Sequence, residues 1–116
     1  MYHKLVDEIW DAVPGMVNVM FSGTDGIIIS RKVELDEDEY IIAEAASLIK
    51  EGQRFGKELD SGGLRNMVSQ YEEMTIVIQM ITHEYFLMGL IKDQNLLGRL
   101  RYRLTMKSYE WYELIA

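Results

Sequence analysis

The side chains able to do chemistry are few, and their spacing keeps them apart. There are two histidines. His3 falls in the terminal segment, and His83 sits beside Glu84 in a short turn between two apolar runs. A His–Glu pair can bind a metal or move a proton, but this turn brings no second set of ligands, so it reads as a solvated turn. The chain has no cysteine, which removes disulfides, thiolate nucleophiles and Cys–His pairs. Ser22, Ser30 and Ser61 lack the context of a nucleophile elbow. Gly23-Thr-Asp-Gly26 and Gly62-Gly63 are glycine turns without the lysine and hydroxyl that complete a phosphate loop. Asp36, Glu37, Asp38 and Glu39 could hold a cation, yet carboxylates at a helix start are accounted for by the helix dipole. The expectation is a protein that is not an enzyme, with no catalytic residue, cofactor or metal.

A chain of 116 residues suits one domain covering 1–116. With 48% hydrophobic residues it can build a core, which excludes a disordered chain. The net charge of −7 argues against nucleic acid. Lys92, Arg99, Arg101, Arg103 and Lys107 gather near the last helix; they read as cations that complement an acidic body and solubilise a helix face. No apolar run approaches the roughly 20 residues of a membrane span, and the N-terminus carries charge too early for a signal peptide. A cytoplasmic protein is expected.

The elements that must position any site follow from periodicity. Leu5, Ile9 and Ala12 predict a helix over Tyr2–Ala12, ended by Pro14-Gly15. Met16–Ser22 and Ile27–Arg31 read as strands around the turn Asp25-Gly26. Asp36 or Asp38 caps a helix that runs to Leu59. Three strand-like runs follow: the polar, alternating Leu64–Tyr71, then the apolar Met74–Ile81 and Tyr85–Ile91. Joined by short reversals, they form an antiparallel meander whose first strand has the character of a sheet edge. A final helix is capped by Asn95 or Asp93 and runs to Leu114; its Tyr102, Tyr109, Trp111 and Tyr112 are expected to cover the sheet. The order is α-β-β-α-β-β-β-α, an α+β domain.

The middle helix carries two apolar stripes. Ile41, Ala45, Leu48, Gly52, Phe55 and Leu59 form one, predicted to sit on the sheet. Ile42, Ala46, Ile49, Gln53 and Gly56 form a second, about 100° further round. A helix lying on a sheet needs one stripe, so the second predicts another neighbour. Gly52 and Gly56 could instead mark an early helix end. Ser47, Lys50, Arg54 and Lys57 lie beyond, exposed.

The chain resembles the roadblock/dynein light chain family over nearly its whole length. The resemblance is carried by Val13-Pro14-Gly15, Asp25-Gly26-Ile27, the helix segment Ala43-Glu-Ala-Ala46, the polar strand ending Tyr71-Glu72, and Asn95-Leu-Leu-Gly98-Arg99. It implies a profilin-like, five-stranded antiparallel sheet with one helix on one face and two on the other. It also implies a homodimer, in which third strands pair across the axis and middle helices lie side by side. On this chain that interface would comprise Ile42, Ala46, Ile49, Gln53, Leu64, Asn66 and Val68. Family members of the MglB type bind Ras-like small GTPases and can stimulate their hydrolysis. The corresponding face here would be Ser47, Lys50, Arg54 and Lys57. A profilin-like or PAS-like domain that senses a small molecule or signal, without a GTPase partner, is the alternative; it would need an internal cavity.

Overall fold

The structure is a computed structural model that describes residues 1–116. Its elements are α1 (Tyr2–Ala12), β1 (Asn18–Gly23), β2 (Ile28–Arg31), α2 (Asp38–Glu58), β3 (Asn66–Gln70), β4 (Thr75–Met80), β5 (Tyr85–Ile91) and α3 (Leu97–Ile115). The strands form one antiparallel sheet in the order β2-β1-β5-β4-β3. This is the expected α+β, profilin-like architecture, with the polar third strand at an edge.

Strand alternation divides the core in two. Val19, Phe21, Val77, Leu87 and Ile91 point to one face and pack against Leu5, Val6 and Ile9 of α1 and Leu100, Leu104 and Trp111 of α3. Met20, Ile78, Met80, Phe86, Met88 and Leu90 point to the other, where Ile42, Ala45 and Ile49 of α2 cover them. Two helices thus lie on one face and one on the other.

The start of α2 is built differently from the expected cap. Its N-cap residue is Glu37, which makes no capping bond through its side chain, and Asp36 is exposed. Asp38 is instead buried. Its carboxylate accepts from the Leu35 amide at 2.9 Å, the Arg31 guanidinium at 3.2 Å and the Asn18 amide group at 3.3 Å. Asn18 also bonds both the N–H and the C=O of Val33. A charge removed from water needs such partners, and here they tie the segment between β2 and α2 to the first residue of β1. At α3, Asp93 caps a short 3₁₀ turn (Gln94–Leu96) by accepting from the Asn95 amide at 3.0 Å.

Candidate functional site

The phase of α2 decides what it can bind, and the structure reverses the expected one. Ile42, Ala46 and Ile49, expected at a dimer interface, are buried within the chain's own fold. Of the stripe expected on the sheet, only Ala45 is buried; Ile41 and Gly52 are half-buried, and Leu48, Phe55 and Leu59 are 44%, 58% and 58% exposed. The face of α2 that meets the sheet is Ile42, Ala45 and Ile49, which pack with Met20, Met80, Phe86 and Met88, with Met67 at the margin of the cluster. The apolar stripe left in solvent is therefore Leu48, Phe55 and Leu59, with Ile41 at its start.

That stripe leans toward β3. A Cβ on Gly52, which shares its flank, would lie 3.1 Å from the Leu64 side chain and 3.7 Å from the sulfur of Met67. A Cβ on Gly56 would meet the Gly62 carbonyl at 2.6 Å. The two glycines therefore admit the chain around β3 against the helix, rather than ending it; α2 continues to Glu58. Leu64, expected at the interface, is half-buried in this contact and precedes the strand. Asn66 is exposed, Val68 half-buried and Gln53 half-buried, its side-chain amide donating to the His83 carbonyl at 3.4 Å.

The two free edges of the sheet differ. β2 has four residues, and its register against β1 slips between Phe21 and Ser22, leaving Ile29 unmatched. A bulge of this kind twists an edge away from further pairing. The ring Nδ1 of His3 lies 3.0 Å from Ser30 Oγ, which clips α1 to this edge. β3 has five residues in uninterrupted register with β4. The Met80 amide donates to the Arg65 carbonyl at 2.9 Å and the Tyr71 amide to the Met74 carbonyl at 2.8 Å. These bonds set the parity: Met67 and Ser69 turn their backbone groups to β4, while Asn66, Val68 and Gln70 turn theirs outward. A regular strand edge thus runs beside the exposed stripe of α2.

The opposite flank of α2 carries Ser47, Lys50, Arg54 and Lys57, all exposed. Lys50 and Lys57 make no ion pair, but Arg54 is clamped by Glu51 at 2.8 Å and Glu58 at 2.6 Å. The hydrogen bond and charge of Glu51, with the bond to Glu58, raise the guanidinium pKa above its already high value. Arg54 is therefore not a free cation, a fact the spacing Glu51–Arg54–Glu58 already encodes. His83 and Glu84 are exposed in the β4–β5 turn.

On α3, Trp111 alone of the four aromatics is buried. Tyr102, Tyr109 and Tyr112 are exposed and do not cover the sheet. The helical wheel carries the signal: Trp111 shares its phase with Leu100 and Leu104, whereas Tyr102 and Tyr109 fall on the far side. Lys107 is mostly buried between α1 and α3. Burial opposes its charge, but hydrogen bonds to Glu110, at 2.8 Å, and to Glu8 prevail and raise its pKa. No helix is long and apolar enough to cross a membrane.

No known sequence family matches the chain, and no curated protein does. Solved structures do. A roadblock/LC7 domain from Streptomyces avermitilis superposes with a TM-score of 0.83 at 19% identity, over 97% of this chain and 95% of that one. MglB of Myxococcus xanthus gives 0.85 at 13% identity, over 96% and 91%. Profilin II of Acanthamoeba castellanii gives 0.70 at 10% identity, over 96% of each. At these identities the likeness is one of backbone, and it runs the length of the domain. The chain has the roadblock fold, the profilin-like α+β architecture seen in MglB.

Proposed function

We propose that this protein is a homodimeric regulator or scaffold for a Ras-like small GTPase. The observation that carries the reading is the exposed stripe Leu48, Phe55 and Leu59 beside the regular, unpaired edge of β3. Both features are unfavourable in an isolated protomer: one leaves apolar area in water, the other leaves a template for strand pairing. A second copy satisfies both at once. With the two-fold axis at Val68, Asn66 of each strand faces Gln70 of the other, and the outward N–H and C=O groups of both strands find partners. The stripes of the two α2 helices then meet above the extended sheet.

The GTPase assignment rests on the roadblock fold and on the free cations at the far flank of α2. Lys50 and Lys57 stay outside such a dimer and can meet an acidic or phosphate-bearing switch region. Ser47 lies on the same side, whereas Arg54 is spent on its neighbours. The chain supplies no catalytic group in this reading. Hydrolysis in such GTPases depends on positioning water and on stabilising transition-state charge, so a partner that fixes the switch loops can accelerate it.

The test is a titration of the cognate GTPase, loaded with a non-hydrolysable GTP analogue, against wild type and Lys50→Glu/Lys57→Glu. Charge complementarity chiefly raises the on-rate, so wild-type binding should weaken with added salt and the variant should bind at least about tenfold more weakly. Dimer state is followed in parallel. Equal affinities in a variant that remains dimeric remove the site from α2.

A further inference from the structure

We propose that the outer face of α3 is a second docking surface, for an acidic segment of a partner protein that also carries apolar side chains. This face lies across the sheet from α2 and owes nothing to the GTPase reading. Its crest is formed by Tyr102, Met106 and Tyr109, with Tyr112 beside it; Tyr102 and Tyr109 are 58% and 67% exposed. Arg101 lies on one side of the crest and Arg99 and Arg103 on the other.

Three observations separate this face from ordinary solvated surface. Between Gln94 and Tyr109 there are four basic residues and no acidic one, in a chain of net charge −7. Lys107 is engaged by Glu8 and Glu110, but Arg99, Arg101 and Arg103 form no ion pair with this chain's carboxylates. The charges also run against the helix itself. Arg99 stands in the first turn of α3, and Glu110 and Glu113 lie toward its end, opposite to what the macrodipole favours. Glu110 is accounted for by Lys107, but helix stability does not explain Arg99 in the first turn; a ligand bearing carboxylates does.

The crest decides the kind of ligand. Tyrosine, methionine and arginine are the residues enriched where proteins meet, and arginine forks bind carboxylates two bonds at a time. The Arg103 guanidinium already lies 5.6 Å from the centre of the Tyr102 ring, which holds a cation over an apolar surface. A nucleic acid would gain three arginines, but its backbone offers nothing to the methionine.

The experiment uses the full chain and a fluorescein-labelled amphipathic glutamate–leucine peptide about five helical turns long. Anisotropy should rise saturably and fall with added salt. Arg99→Glu/Arg103→Glu should abolish the signal, and Tyr109→Ala should weaken binding roughly tenfold with its salt dependence retained. Arg99→Lys/Arg103→Lys should rescue part of the affinity, as charge returns without the fork. Tyr40→Ala, an exposed tyrosine on α2 across the sheet, should bind like wild type. Absence of saturable binding, equal binding by Arg99→Glu/Arg103→Glu, or a preference for a single-stranded oligonucleotide or phosphatidylserine vesicles would each overturn the proposal.

Discussion

Phe55→Glu should convert the protein to a folded monomer. The ring is 58% exposed in the protomer. A phenylalanine presents about 200 Å² of surface, so roughly 120 Å² is available to a second copy. At about 25 cal/mol per Å², its burial is worth about 3 kcal/mol, and a two-fold interface counts it twice. If half of that total is realised, the substitution weakens the dimer by about 3 kcal/mol, or roughly 150-fold in Kd. The new carboxylates also face each other near the axis. Within the protomer the cost is small: a charge added near Glu51 and Glu58 loses about 0.5 kcal/mol. Ile49→Glu is the contrast, because that side chain is fully buried against the sheet and its ionisation would unfold the domain. Sedimentation equilibrium over a concentration series, with urea melts of the same samples, separates the two effects. Wild-type dimerisation by Phe55→Glu would refute the phase assigned to α2. So would a folded, monomeric Ile49→Glu.

Val68→Pro should also abolish the dimer while the sheet persists, since the lost N–H points to the open edge; Met67→Pro should damage the β3–β4 ladder and the fold itself, as melting curves would show. Asp38→Ala should cost roughly 3 kcal/mol in urea unfolding, because it leaves the Leu35 amide without its acceptor and removes one partner each from Arg31 and Asn18, whereas Asp36→Ala at the exposed neighbouring position should cost under about 0.5. Lys107→Met should lose about 1 kcal/mol at neutral pH. The folded pKa of Lys107 is raised, so its contribution is complete below the unfolded value of about 10.4 and is lost as pH rises through the folded one. Wild-type and variant stabilities should therefore stay a constant distance apart from pH 7 to 9 and converge only above about pH 10.4; convergence already at pH 8 would contradict the ion-pair account.

What could be read from the chain alone follows from how local each signal is. The polar alternation of Leu64–Tyr71 marks an edge because a strand with no buried second face need not be apolar. The continuous apolar runs through Ile76–Ile78 and Phe86–Met88 mark interior strands for the opposite reason. Asp38 was invisible because its partners, Asn18 and Arg31, come from other elements; nothing near it in sequence distinguishes a buried carboxylate from a cap. The phase of α2 was invisible for a deeper reason. Two apolar stripes compete for one sheet, and their sizes alone favour Leu48, Phe55 and Leu59 for the interior. The sheet beneath presents Met20, Met80, Phe86 and Met88, and the face that packs with them is Ile42, Ala45 and Ile49. A helix face is chosen by complementarity with what it covers, and that quantity belongs to two elements at once.

Because the bulky stripe of α2 and the open edge of β3 lie on one flank, a single partner can cover both, and a second copy of the chain offers an edge whose parity matches by symmetry. In the proposed dimer, pairing there would leave both copies of the Lys50–Lys57 flank exposed on one side of the extended sheet and both α3 crests on the other. Each proposed ligand surface would then be presented twice, so a partner with two acidic segments would gain effective concentration from the dimer without any new contact. Phe55→Glu should remove that gain while leaving the affinity of a single acidic peptide unchanged. A bivalent form of the glutamate–leucine peptide, with its two units joined by a flexible linker long enough to span the dimer, measures the difference. Equal avidity for wild type and Phe55→Glu would mean that the two crests act alone, and that dimerisation serves only the α2 side.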